Sequence, residues 1–597
     1  MLVLYILLFT TTGVSAQSSD ISAKEIISHI RFLASDELAG RKSGQEGCEK
    51  AADYIASHFK KAGLKPLGDS DTYFQHFTFP AGVELGKTNS LVFKTDVQEL
   101  KLEVSSDFLP LSFSNDGKIA ADLVFAGYGI TAKDLNYDDY EGLDVKDKIV
   151  IALRYAPEEF GKDKGYSPYT SLYNKAITAK QKGAKGIIFT TPYRKEEEKD
   201  LGGLRFDFTF ATSDIHATVV RRQSVEKLFS ILGLDLKDTE NKITAHSPNS
   251  FAMYEVRVHQ QTELQRLRSN TYNVIGLIEA ADKKPETKTI IIGAHYDHLG
   301  HGGVSSLAKT KKGQTQIHNG ADDNASGTAG LIEIAEYFAS NKDSLNFNLV
   351  FIAFSGEELG LLGSSYYIKN PKVPLEQTTA MINMDMIGRL RHDNLVILGT
   401  GSSPQWHDLL KSANADVGLK LKNNDTGFAP SDQSVFYARK TPVLQFFTGV
   451  HSEYHTPEDD WQKINADGQV KILNVITNLV WNINNNNLQI SYSSVKGDSA
   501  DRPTRFNVYL GTIPDYSDES EGMKLMGVKE NGPAEKAGIK GGDIIIKLGS
   551  KSIKNIYDYV YALSEMKANV PTEIVVLRGG KKISLNIVAE PRRSKMN

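Results

Sequence analysis

Thr289-Ile290-Ile291-Ile292-Gly293-Ala294-His295-Tyr296-Asp297-His298-Leu299-Gly300 reads as an apolar strand that empties into a histidine–aspartate pair and then into glycine. Its apolar run does not alternate with polar residues, the habit of a strand buried on both faces of a largely parallel sheet. Three later runs behave the same way. Leu349-Val350-Phe351-Ile352-Ala353-Phe354 leads to Glu357-Glu358, Ala380-Met381-Ile382 leads to Asp385, and Val443-Leu444-Gln445-Phe446-Phe447 leads to the loop holding His455. Open α/β sheets bind ligands beyond the carboxyl ends of their strands. A three-layer α/β/α fold on a mixed, mostly parallel sheet would therefore gather these polar residues on one rim.

Together with Asp323, in Gly320-Ala321-Asp322-Asp323-Asn324-Ala325-Ser326-Gly327, these motifs offer His295, Asp323, Glu358, Asp385 and His455. Two imidazoles and three carboxylates form a nitrogen and oxygen donor set with no thiolate. It suits two zinc ions if one carboxylate bridges them and each keeps an open position. Structural zinc sites are usually rich in cysteine, so this set reads as catalytic. The adjacent Glu357 and Glu358 fit that chemistry. Neighbouring side chains diverge in direction, so one carboxylate can hold metal while the other accepts a proton from the attacking water.

The pattern His-x-Asp, a second Asp four residues before Gly327, then Glu-Glu, Asp and His-Thr resembles the M28 family of dizinc aminopeptidases over most of residues 262–490. That resemblance implies that His295 and Asp385 hold one zinc, Glu358 and His455 the other, and Asp323 bridges them. Asp323 is preferred to Asp322 because the family's bridging carboxylate stands four residues before the glycine that here is Gly327. The resemblance also implies that Asp297 orients the first histidine and that Glu357 is the general base.

Other histidines compete. His451 precedes Ser452 much as His455 precedes Thr456, but Tyr454-His455-Thr456-Pro457 is the family's usual form. His298, His301 and His318 fall in a Gly- and Ser-rich stretch; ordinary polar loop positions are the first reading, and places at the rim or behind the ligands the second. Gln433 stands where related sequences often carry histidine after Ser431-Asp432. Asn324-Ala325-Ser326 fits a glycosylation triplet, in a metal loop unsuited to it.

Residues 2–9 are almost wholly apolar, and Val14-Ser15-Ala16 offers a small-residue cleavage site before Gln17. This reads as a secretory signal peptide over residues 1–16, too short for a membrane span. The expected location is secreted, periplasmic or extracellular, and no later stretch is long and apolar enough to cross a membrane. Cys48, the lone cysteine, lies outside every metal motif and permits no internal disulfide. With 69 basic and 73 acidic residues, the formal charge of −4 argues against nucleic-acid binding.

At 597 residues several domains are expected. Residues 17–89 carry helical text such as Ile26, Ile27, Ile30 and Leu33 on one face, and resemble the opening helices of the same peptidases. The first metal motif comes far later, so residues 90–261 are an insert, resembling the mainly-β protease-associated domain. A linker over 491–504 precedes residues 505–592, where Ala537-Gly538-Ile539 and Gly542-Asp543-Ile544-Ile545 resemble a PDZ domain. Such domains take a peptide's carboxyl end as an added strand.

The function implied is a secreted zinc exopeptidase that removes N-terminal residues from peptide substrates, with peptide C-termini as possible PDZ partners. Three alternatives differ by feature. A carboxypeptidase or dipeptidase on this fold needs a basic pocket for a terminal carboxylate. A glutaminyl-cyclase-like transferase typically works with one zinc. A non-enzymatic peptide-binding receptor has no need of Glu357 or of five intact ligands.

Overall fold

The computed structural model describes residues 20–591, apart from 133–134, 158–167, 195–200, 202–203, 205–211, 245–246, 283, 285–286, 304, 309–314, 428–429, 496–507, 515–521, 530–531, 555–557, 560–561 and 564–565. The signal-peptide reading and the linker's Lys496 to Ser499 lie outside the described residues. The chain divides into two compact units, residues 1–77 with 271–498 and residues 78–270 with 499–597.

The first unit is built on a sheet whose strands run in the order Lys65–Pro66, Leu264–Ile278, Asn348–Phe354, Thr289–His295, Thr378–Met384, Val443–Phe447, Asn394–Leu398 and Lys420–Asn424. The central four, from Asn348–Phe354 to Val443–Phe447, pair in parallel, and antiparallel partners flank them. Alternate residues face opposite layers. Ile290, Ile292, Leu349, Phe351 and Ile382 join one core with helices Ala23–Leu33, Glu46–Ala62, Gly327–Ser340 and Ala466–Asn485. Ile291, Val350, Ile352 and Met381 are equally buried but lie outside that cluster. On their face Phe354 meets Phe436 of the helix Gln433–Tyr437, which in turn meets Tyr367 of Leu362–Lys369. The three layers follow from strands apolar on both faces.

The N-terminal helices form for local reasons. Ser22 caps the first by accepting from the Glu25 amide, and Ile26, Ile30 and Leu33 make its buried stripe. Cys48 packs inside the second, which ends at Gly63 with a φ of 83°. Among the described residues, no helix is long and apolar enough to cross a membrane.

The second unit holds an eight-stranded sheet assembled from residues 90–262, with a parallel run through Gly117–Ala126, Ile149–Leu153, Gly186–Thr190 and His216–Val220. Its cuts differ from the sequence reading. Strands Phe74–Leu85 and Leu264–Ile278 pair with each other and run through the divides at 77–78 and 270–271.

The C-terminal part of this unit pairs Thr512–Pro514, Met523–Val528, Ile544–Leu548, Pro571–Arg578 and Lys581–Val588 around Leu525, Ile545, Ile574 and Ile587. Buried Asp543 accepts from Arg578 Nε and Nη2, each at 2.7 Å. This fork-to-carboxylate pair gives Gly541-Gly542-Asp543 its structural meaning.

Candidate metal centre

Each sequence motif reaches the rim by its own route. His295 ends its strand, Glu357 and Glu358 follow Phe354 by a short turn, and Asp385 follows Met384. His455 arrives on the loop after Val443–Phe447 with a φ of 57°, the left-handed region that costs a non-glycine residue of order 1–2 kcal/mol. The Leu307 amide donates to its carbonyl at 2.9 Å and helps hold it there.

Asp323 sits just before the helix Gly327–Ser340, and its segment is tied down on several sides. The amides of Asp322 and Asp323 donate to Asp459 Oδ2 at 2.9 and 3.1 Å. Asn324 donates to the Met384 carbonyl and accepts from Gly327 and Met386, linking this segment to the Asp385 strand. Buried in that role, Asn324 is closed to glycosylation in the folded chain. Arg41, itself buried, donates to the carbonyls of Tyr296, Leu33, Asn319 and Gly320, fastening the N-terminal segment to both metal loops. Gly320 has a φ of 56°, and a Cβ there would stand 2.1 Å from the Asp323 carbonyl oxygen and 2.5 Å from the His298 ring. Only glycine fits.

All five expected ligands converge, with Asp323 in the middle. Its Oδ1 lies 3.4 Å from His295 Nε2, and Asp385 Oδ1 lies 3.5 Å from the same nitrogen. Its Oδ2 lies 3.2 Å from His455 Nε2, which Glu358 Oε2 approaches at 3.4 Å. Ligand atoms at about 2.0–2.1 Å from a tetrahedral zinc ion stand about 3.3–3.4 Å apart. The donors therefore have the spacing of two tetrahedral edges sharing one carboxylate.

The histidine tautomers agree with this. His455 Nδ1 donates to the Ser305 carbonyl at 2.9 Å and His295 Nδ1 to the Asp297 carbonyl at 3.3 Å. In both rings Nε2 is left as the place for a cation. Burial opposes charge on His455, but Asp323 and Glu358 outweigh it and push its pKa up to about 10; His295 is likewise held well above the ordinary range against burial. Burial opposes ionisation of Asp323 too, yet hydrogen bonds with His295 and His455 hold its carboxyl well below the usual range. A cluster that draws protons onto its imidazoles this strongly has the charge to bind divalent cations. The residues fit two zinc ions.

Glu357 lies with its carboxylate in the same group as His295 and Asp385, their ligand atoms within 4.8 Å of one another. Burial, with the charges of Glu358, Asp385 and Asp432, raises its pKa well above the carboxylate range despite His295. Asp297 departs from the sequence reading in detail. Its carboxylate stands 3.8 Å from His295 Nδ1, and it accepts instead from the Glu357 amide at 3.1 Å and Ser43 Oγ at 3.0 Å. The peptide carbonyl takes the imidazole, so the carboxylate is free to steer the backbone of the base.

The competing histidines separate clearly. His451 Nε2 faces Asp322 Oδ2 at 3.3 Å, and its Nδ1 faces Glu453 at 3.2 Å. His301 is exposed, and His318 binds Ser306 Oγ and the Gln316 carbonyl. His298 overturns its reading as a polar loop position. It is 1% exposed, its Nδ1 lies 2.7 Å from Glu358 Oε1, and with Asp323 and Glu358 it forms a second group of possible metal ligands. Its closeness to His295 in sequence was the available signal.

Gln433 also gains a place. Asn383 donates to Gln433 Oε1 at 3.0 Å, Gln433 to Gln445 Oε1 at 2.8 Å, and Gln445 to Asp385 Oδ2 at 3.5 Å. Uncharged amides thus lead from the Ser431-Asp432 turn to a metal-site carboxylate.

The model of Peptidase family M28 matches residues 273–480, and that of the PDZ domain matches residues 508–588. The chain is 24% identical over 473 residues to aminopeptidase YwaD of Bacillus subtilis, spanning 77% of this chain and 84% of that one. It is 24% identical over 380 residues to an aminopeptidase of Pseudomonas aeruginosa, spanning 62% and 58%. With leucine aminopeptidase 2 of Trichophyton rubrum it shares 28% over 197 residues, 32% of this chain and 35% of that one. The chain thus carries a Peptidase family M28 domain over residues 273–480 and a PDZ domain over residues 508–588.

Proposed function

We propose that this protein is an exported, zinc-dependent aminopeptidase that hydrolyses N-terminal residues from peptides. The observation that carries the reading is Asp323, with one carboxylate oxygen against His295 and the other against His455. His295, Asp323 and Asp385 would hold one zinc ion, and Asp323, Glu358 and His455 the other. When bound, the pair supplies Lewis acidity that makes water nucleophilic near neutral pH and polarises the scissile carbonyl.

Glu357 takes a proton from the attacking water and returns it to the departing amine nitrogen. Burial and the neighbouring carboxylates raise its pKa above the ordinary carboxylate range, which favours holding the proton between the two steps. Asp297 supports it through the Glu357 amide. Charge favours the amino end of the substrate. Asp297, Asp323, Glu357, Glu358, Asp385 and Asp432 interact around the site, an excess of acidic side chains even with Arg41 beside them. A free ammonium is attracted to that excess, whereas a terminal carboxylate is repelled.

Export is supported by the apolar residues 2–9 and the cleavage-site residues Val14-Ser15-Ala16. We read the sheet of residues 90–262 as a protease-associated module and the PDZ domain as a binder of peptide carboxyl ends. A peptide panel tests the central assignment. Free-amine peptides are expected to be cleaved and N-acetylated ones almost not at all, with carboxyl amidation raising KM only for longer peptides. Equal cleavage of acetylated and free peptides contradicts it.

A further inference from the structure

His298 lies outside the expected ligand set, yet it is among the most tightly held side chains at the centre. Its backbone amide donates to the Arg41 carbonyl at 3.2 Å, and the backbone of Gly320 closes against its ring. The ring meets that of His455 edge-on at 5.7 Å between centroids. Nδ1 lies 2.7 Å from Glu358 Oε1 and 3.9 Å from Asp323 Oδ2. Nε2 is buried with no hydrogen-bond partner among the described residues.

These contacts divide the work of Glu358 between its oxygens. Oε2 faces His455 at 3.4 Å, while Oε1 is taken by the His298 N–H. A carboxylate free at both oxygens can rotate or bind a cation through both; one already accepting a short, charge-assisted hydrogen bond presents a single oxygen in a fixed direction. Resting on the dizinc reading above, we infer that His298 is a positioning residue that clamps Glu358 Oε1 and commits Oε2 to the zinc ion shared with Asp323 and His455. It is a hydrogen-bond donor to a ligand and not a ligand itself. The same clamp sets apart the two neighbouring glutamates, since Glu358 is fixed through its side chain and Glu357 through its backbone.

Zinc binding to the metal-stripped, full-length protein separates the possibilities, because asparagine can place an N–H where Nδ1 stands. His298→Ala is expected to weaken the second zinc ion by about 10–100-fold, the usual scale for removing a ligand's hydrogen-bond partner, while the first binds as before. His298→Asn is expected to restore the second affinity to within a few-fold. If His298→Ala keeps both wild-type affinities, no clamp exists. If Asn binds no better than Ala the inference is wrong: with both variants melting like the metal-free parent His298 is a ligand, and with both melting lower it is a packing residue. A wild-type protein that binds fewer than two ions removes the dizinc reading and this inference with it.

Discussion

Replacing Glu357 by Gln isolates proton transfer from every other property of the centre. The two side chains have nearly the same shape, and the Glu357 backbone amide, which donates to Asp297 at 3.1 Å, is untouched. The substitution also removes a carboxyl whose ionisation is opposed first by burial and then by Glu358, Asp385 and Asp432. Folding stability should therefore hold or rise, and zinc content should stay at two. What disappears is the base. General-base loss lowers the rate by about 10²–10⁴-fold, equal to about 2.7–5.4 kcal/mol of transition-state stabilisation. Steady-state kinetics on an aminoacyl substrate, alongside metal analysis of the same samples, should show kcat falling by that factor with KM little changed. The sign of the pH dependence follows. Wild-type activity falls as acid protonates Glu357, and that limb should vanish from the residual activity of the variant. A kcat within tenfold of wild type would place the base elsewhere. Loss of one zinc ion would mean that Glu357 serves as a ligand, which its position beside His295 and Asp385 permits.

Gln433→Leu should leave Gln445 Oε1 without its donor and Asn383 Nδ2 with Ser431 Oγ alone, at about 1–3 kcal/mol for the stranded group. Thermal melting should fall accordingly, with weaker zinc binding at the His295–Asp385 pair; unchanged melting and zinc affinity would show that the amide chain is idle. Between the helices Gly327–Ser340 and Glu46–Ala62, burial disfavours the Glu336 carboxylate, but a 3.0 Å bond with His58 outweighs this and lowers its pKa below the ordinary value. A depressed carboxyl stabilises the fold above its unfolded pKa and loses that contribution as pH falls through the folded value. Melting temperatures of Glu336→Gln and wild type should therefore converge in acid and separate at neutral pH, whereas a constant difference would rule out ionisation as the cause.

Much of the centre was legible because its ligands follow strands that announce themselves. Ile290 to Ile292 and Leu349 to Phe354 are apolar on both faces, so they read as central strands, and polar residues just beyond them must sit at the rim. Asp323 belongs to no strand and was placed by the family resemblance, four residues before Gly327. His298 was misread because local composition describes the chain's polarity, not where it folds back; nothing in Gly300 to Gly320 says that Gly320 will press on that ring. The role of Asp297 shifted for a similar reason. Its own carbonyl sits closer to His295 than its carboxylate does, a difference of backbone direction that residue identity does not encode. The divides at 77–78 and 270–271 fall inside the strands Phe74–Leu85 and Leu264–Ile278, where composition gives no mark.

Anomalous diffraction at the zinc edge from crystals of the zinc-loaded protein tests the central claim most directly. Two peaks are expected about 3.5–4 Å apart, the spacing of carboxylate-bridged pairs, one beside His295 and Asp385 and the other beside Glu358 and His455, with Asp323 between them. A single peak, or a second peak away from Asp323, would contradict the shared-carboxylate centre.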